Sequence, residues 1–133
     1  MERNLERAKV DLSLRTDYNL IDAFRVFDPE GKGWISGNEI KKGLVNFSVF
    51  VQDEDVSLFM KRYDKDEDGR VRYSEFCDAF LPTDQFHASL LAKKAPLHMH
   101  HMETQVDRIF YPETMFFITH CWNTHINNER KAE

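Results

Sequence analysis

Apolar side chains recur at helical spacing in five stretches of the N-terminal two thirds of the chain. The spacing i, i+3, i+4, i+7 places such side chains on one face of a helix. The stripes are Leu5, Ala8 and Leu12; Leu20, Phe24 and Phe27; Ile40, Leu44 and Phe47; Val56, Phe59, Met60 and Tyr63; and Phe76 with Phe80. Pro82 ends the last stripe, because the residue before a proline is pushed out of the α conformation, and either Thr16 or Asp17 is available as N-cap of the second. The pattern predicts a helical segment over 1–16, then helix–loop–helix, linker, helix–loop–helix over 17–81.

The C-terminal third has a different pattern. Residues 82–111 are predicted to be a linker, with a short helix around Phe86 and Leu90 and then a polar, histidine-rich stretch. Pro112 suits a first helical position. Met115, Ile118, Trp122 and Ile126 follow it at helical spacing. We therefore predict an amphipathic helix over 112–128, which either packs on the preceding helices or binds another protein.

Two loops within residues 17–81 repeat the same arrangement. The first covers 28–39 and the second 64–75, a shift of 36 residues. Each begins with aspartate and has glycine at the sixth place, a β-branched residue at the eighth and glutamate at the twelfth. Agreement at four places in one register indicates an internal repeat.

The second loop carries oxygen ligands at the spacing of a cation site. Carboxylates at places 1, 3 and 5 converge when the chain curls, and Gly69 at place 6 permits the sharp turn. The predicted ligands are the side chains of Asp64, Asp66, Asp68 and Glu75 and the backbone carbonyl of Arg70. Such an all-oxygen shell suits Ca²⁺ better than Mg²⁺, which demands tight octahedral geometry. The sequence therefore predicts a calcium site at 64–75.

This loop resembles the EF-hand, and the repeat over 17–81 resembles one paired lobe of the calmodulin, centrin and myosin light-chain superfamily. The resemblance implies an all-α fold: an EF-hand pair with a short β bridge between its loops, plus flanking helices. Ile35 and Val71 would lie side by side in that bridge. It also implies Ca²⁺ as cofactor and a protein partner, either an amphipathic helix or a larger assembly. The C-terminal helix could then fold back into the groove of the lobe.

The first loop has the same turn residues as the second but lacks the oxygen ligand at place 5. Lys32 places an ammonium group at place 5, where a ligand oxygen is expected, and Glu30 is one methylene longer than the usual aspartate. A cation at that place repels a second cation and can itself satisfy the surrounding carboxylates. The run from Asp28 to Gly33 resembles a degenerate hand of myosin regulatory light chains. We predict a scaffold loop that binds no calcium.

Arg72 weakens the expected affinity of the second loop. It stands at the ninth place, where a short oxygen-bearing side chain usually holds a bridging water, and a guanidinium group cannot accept a hydrogen bond. We expect a dissociation constant of order 10⁻⁶ to 10⁻⁴ M.

Composition and charge argue against several classes of function. The net charge of −5 argues against a general binder of nucleic acid or anionic membranes, and no apolar run approaches the ~18 residues of a membrane span. The first four residues begin no signal peptide, and the two cysteines, Cys77 and Cys121, are expected to be free thiols in the cytoplasm. No nucleophile motif or phosphate-binding loop appears, so we predict no enzyme.

The sequence allows two interpretations of each of three features. We interpret the histidine-rich tract 98–102 as a solvated linker, with a transition-metal site as the alternative. The seven phenylalanines of 17–81 form either a core or a partner-specific groove. The protein is either a calcium-binding regulatory or light-chain-like subunit, or a constitutive structural subunit of a cytoskeletal or ciliary assembly with calcium static or absent.

Overall fold

α-Helices and one short β bridge form the regular structure of the described residues. The computed structural model describes residues 3–97 and 106–132. In chain order the elements are α1 Arg3–Ser13, α2 Leu20–Phe27, β1 Trp34–Ile35, α3 Gly37–Asn46, α4 Asp53–Tyr63, β2 Val71–Arg72, α5 Tyr73–Phe80, α6 Gln85–Ala92, a 3-10 turn at Val106–Arg108, and α7 Pro112–Ala132. The predicted all-α fold with flanking helices and a bridge between the two loops is confirmed.

The bridge joins the two loops in the predicted register. β1 and β2 pair antiparallel, with Ile35 opposite Val71 and Trp34 opposite Arg72. Ile35 and Val71 are both fully buried. Because β-branched side chains pack well on a pleated surface, this pair fixes one loop against the other.

The start of α2 differs from the prediction. Asn19, and neither Thr16 nor Asp17, is the N-cap, and its Oδ1 accepts from the backbone N–H of Asp22 at 2.8 Å. The Asp17 carboxylate instead lies at the start of α7, where it accepts from the N–H of Tyr111 at 2.7 Å. A carboxylate is stabilised at a helix N-terminus by the unpaired N–H groups there, so this long-range contact outweighs the local capping role.

One apolar core runs through the whole of the described structure. It includes residues of α1, of both loop-bearing helix pairs and of α7. Six of the seven phenylalanines of 17–81 are buried in it, whereas Phe50 is 75% exposed. The core interpretation of these rings is therefore the one that the structure supports.

Helix α7 folds back onto the helices of residues 17–81. Trp122, which is 2% exposed, lies with its ring centroid 4.8 Å from that of Phe80, 5.1 Å from Phe59 and 5.4 Å from Phe27. The helix also continues to Ala132, four residues beyond the predicted end.

Two ion pairs hold this last turn of α7 against α4. Arg130 donates two hydrogen bonds of 2.7 Å to the Asp55 carboxylate. Arg62 pairs with Glu129 at 2.5 Å. The extra turn is therefore stabilised by contacts that lie far away in the sequence.

The remaining segments pack on this body. α1 buries Leu5, Ala8 and Leu12 and packs against α7 and α6. α6 lies within the predicted linker, and the histidine-rich tract 98–102 lies outside the described residues. No helix in the described ranges has the length and apolar character needed to cross a membrane.

Candidate metal site

The Asp64 carboxylate organises the second loop from inside. Asp64 is 6% exposed, and its Oδ2 accepts a 2.8 Å hydrogen bond from the backbone N–H of Gly69. Gly69 has φ +78°, a left-handed conformation in which an L side chain would be strained. The predicted role of this glycine in the turn agrees with the backbone.

Glu75 closes the same loop at both ends. It is 6% exposed; its Oε1 accepts from the N–H of Arg72 and its Oε2 from the N–H of Lys65, both at 2.9 Å. The first of these bonds belongs to the N-terminal capping of α5. These two backbone bonds therefore hold the Glu75 side chain against the loop.

Asp66 and Asp68 are bound to an arginine of the same loop. Arg72 donates from Nη1 to Asp66 Oδ2 and from Nη2 to Asp68 Oδ2, each at 2.8 Å. The hydrogen bond from Arg72 is the largest cause that holds the pKa of Asp68 below its ordinary value. This contact was not predicted from the sequence, from which Arg72 was expected to act on the site through a bridging water; its position four residues after Asp68 was the signal for the contact.

The predicted ligands are thus brought into one loop but not onto one point. Within 3–97 and 106–132, no three His, Cys, Asp or Glu side chains stand close enough together to hold a metal ion. The backbone N–H of Arg70 donates a 3.0 Å hydrogen bond to Asp68 Oδ1. The guanidinium of Arg70 lies 4.3 Å from the centre of the Trp34 ring. The donor set nevertheless fits Ca²⁺ in its chemistry, because every ligand atom is oxygen and two of the four carboxylates already lie in the loop interior.

The first loop has the same backbone arrangement around a different centre. The Asp28 carboxylate accepts from the N–H groups of Lys32 at 2.9 Å and Gly33 at 2.8 Å. The Lys32 ammonium is hydrogen-bonded to Glu39 and lies 3.8 Å from Asp28 and 3.5 Å from Glu30. A lysine side chain therefore meets three carboxylates of this loop.

The contact between Lys32 and Glu39 shifts the pKa values of both side chains. The hydrogen bond to Glu39 is the largest cause that raises the pKa of Lys32. Burial by itself raises the pKa of Glu39, but the bond from Lys32 and the backbone bond from Ser36 reverse this and lower it. Both groups are therefore charged at neutral pH.

The two cysteines do not provide a reactive group. Burial raises the pKa of the Cys121 thiol to about 12 and also raises that of Cys77. Since the thiolate is the nucleophile and metal ligand, both side chains stay in their unreactive form at neutral pH.

Comparison with known proteins identifies the repeated unit. Residues 17–81 match the family described as an EF-hand domain pair. Proteins named calglandulin from Bothrops insularis, Pseudechis porphyriacus and Pseudechis australis are each 41% identical to the chain over 64 residues. The matched segment covers 48% of this chain and about two fifths (41%) of each relative. No solved structure matches the chain.

Proposed function

Because residues 17–81 are an EF-hand domain pair of calmodulin-like type, we propose that this chain is a calcium-binding regulatory or light-chain-like subunit with one working site, at 64–75. The observation that carries the proposal is the contrast between the two loops. In 28–39 a lysine ammonium contacts the carboxylates at places 1, 3 and 12. In 64–75 the two buried carboxylates, Asp64 and Glu75, accept hydrogen bonds from backbone N–H groups, and the guanidinium of Arg72 is hydrogen-bonded to Asp66 and Asp68 instead.

The residues that would hold the ion are those predicted from the sequence. They are Asp64, Asp66, Asp68 and Glu75 through their side chains and Arg70 through its backbone carbonyl. Bound Ca²⁺ supplies two positive charges, which offset the repulsion among four carboxylates in one loop. The backbone bonds to Asp64 and Glu75 position the first and last ligands of the loop in advance.

A matched pair of variants tests the site. We expect Glu75→Gln to abolish calcium binding, because a neutral amide replaces the bidentate carboxylate at place 12. Glu39→Gln changes the same place of the first loop and is expected to leave calcium binding unchanged. The measurement is calorimetric titration with calcium in a physiological magnesium background, with helix content followed by circular dichroism. Binding by Glu75→Gln that equals the parent would overturn the assignment.

We further propose that a protein partner is the readout and that it competes with α7. In calmodulin-like lobes a target helix lies in an apolar groove. Here Trp122 of α7 packs among Phe27, Phe59 and Phe80, so an intramolecular helix covers the corresponding apolar side chains. A partner helix would bind where α7 is released.

The covered core also supports the second candidate, a constitutive structural subunit with a static ion. A lobe whose apolar face is closed by its own chain needs no calcium-dependent partner to bury that face. The two functions differ in one observable: a regulatory subunit gains binding sites for an apolar fluorescent dye when calcium is added, and a structural subunit does not. In both, the proposed role is non-enzymatic.

A further inference from the structure

The guanidinium of Arg72 bridges two carboxylates that the proposed calcium site requires. Each of its terminal nitrogens donates one 2.8 Å hydrogen bond, one to Asp66 and one to Asp68. A planar guanidinium group matches carboxylate acceptors in this forked arrangement better than the point charge of a lysine does. Arg72 therefore holds places 3 and 5 together through its own positive charge.

The backbone and the side chain of Arg72 have separate roles. Its backbone lies in the β bridge opposite Trp34, and its N–H is bound by Glu75. Its side chain is 43% exposed and lies on the solvent side of the loop with Asp66, which is 63% exposed. The guanidinium can leave the two carboxylates while the bridge and the α5 cap stay intact.

The two loops thus contain internal cations at different depths. Lys32 contacts Asp28 and Glu39 at the first and last places of its loop. The guanidinium of Arg72 is hydrogen-bonded to places 3 and 5, and Asp64 and Glu75 keep their backbone partners. The cation of the second loop is therefore the one that can be exchanged.

We propose that Arg72 is an intramolecular competitor for the calcium site, which has to release Asp66 and Asp68 before they can act as ligands. This inference rests on the proposed function and adds the residue that sets its affinity. Calcium binding then includes the breaking of two charge-assisted hydrogen bonds, which lowers the measured association constant without removing a ligand.

A charge-matched comparison tests the competition. Arg72→Gln removes the bridging guanidinium, and Arg70→Gln removes an equal charge two residues away, from a side chain that lies on Trp34. We expect the calcium association constant, measured by calorimetry in a magnesium background, to rise about tenfold for Arg72→Gln and about twofold for Arg70→Gln. Arg72→Lys keeps the charge but loses the forked geometry, and its association constant should lie between that of the parent and that of Arg72→Gln.

The outcomes separate the inference from the function it rests on. Equal gains for Arg72→Gln and Arg70→Gln, or no gain for Arg72→Gln, would overturn the competition while calcium binding by the parent chain preserves the proposed site. If neither the parent nor Arg72→Gln takes up calcium, both proposals fail. Circular dichroism and the Glu75→Gln variant verify that each protein is folded and that the heat comes from loop 64–75.

Discussion

Single side chains decide how the carboxylates of each EF-hand loop are satisfied. Both loops place an aspartate at the first position with its oxygens on backbone N–H groups. They differ in the position of the cationic side chain. Lys32 stands at place 5 of its loop, whereas Arg72 stands at place 9 and its side chain extends back to places 3 and 5. The proposed scaffold role of the first loop and the proposed calcium site of the second therefore depend on where this cation stands.

The contact between Gly43 and Phe27 gives a prediction at the same scale. A Cβ atom on Gly43 would overlap the ring of Phe27, which is itself buried. We expect Gly43→Ala to lower the free energy of unfolding by about 1–3 kcal/mol through overpacking, in spite of the ~1 kcal/mol helix preference of alanine over glycine. Urea unfolding followed by circular dichroism measures the change.

Gly37→Ala is the control for this substitution. Gly37 also lies in α3, but there the nearest atom to an added Cβ is Cγ1 of Val56 at 3.2 Å, a contact that a small shift relieves. The packing argument would be wrong if Gly43→Ala were as stable as Gly37→Ala.

At the scale of elements, α7 completes the core of the EF-hand pair. Its aromatic face enters the cluster of phenylalanines, its Thr119 hydroxyl donates to the carbonyl of Phe47 at 2.8 Å, and its end is bound to α4 by Arg130 and Asp55. The hydrogen bond from Arg130 is the largest cause that lowers the pKa of Asp55. Polar contacts along the helix therefore fix the register in which its apolar face is buried.

Removal of the central ring of α7 should be costly. We expect Trp122→Ala to lower the free energy of unfolding by about 3–5 kcal/mol, because it removes a buried indole and leaves a cavity among three phenylalanines. Phe116→Ala is the control on the same helix: Phe116 is 69% exposed, and its loss should change stability by less than about 0.5 kcal/mol. Urea unfolding of both variants gives the comparison, and equal stabilities would contradict a closing role for α7.

At the scale of the whole molecule, we expect His125 of α7 to make the stability of the shared core depend on pH. This side chain is fully buried, and its Nε2 lies 2.7 Å from the carbonyl oxygen of Ala79 in α5. Burial is the main cause that lowers the pKa of His125 to about 3, and the positive charges of Lys9 and Arg62 add to it. The imidazole is therefore neutral when α7 is in place.

The sign of the pH dependence follows from that pKa. The folded value lies below the ordinary value of 6.5, so the unfolded chain binds the proton more readily, and stability present above pH ~6.5 is lost as the pH falls towards 3. Between pH 7 and pH 5 we expect a loss of about 2 kcal/mol. The measurement is the free energy of unfolding in urea across this range.

Variants of two histidines on α7 assign the effect. His125→Gln keeps a donor for the Ala79 carbonyl and should flatten the pH dependence between pH 7 and 5. His120→Gln, at an exposed position, should leave the slope as in the parent. A slope that survives His125→Gln would show that another group carries it.

The local pattern of the chain determined the EF-hand pair. The apolar spacing and the repeat of 36 residues predicted the helices and the two loops, and the resemblance to the EF-hand placed Ile35 beside Val71 in the bridge. The apolar spacing depends on residues a few positions apart, and the repeat appears when the two loops are aligned, so the sequence displays both directly. The calcium ligands of 64–75 belong to the same local pattern and stay a prediction.

Only the tertiary structure decided which distant groups meet. It placed Asp17 at the start of α7, Trp122 among the phenylalanines and Arg130 on Asp55. It also turned the Arg72 side chain onto Asp66 and Asp68 and extended α7 to Ala132. Each contact depends on the direction in which a helix leaves a loop and on competition among several partners of similar strength. The spacing of residues along the chain determines neither the direction of a helix nor the outcome of that competition, because the free energy of burial depends on how the whole core packs.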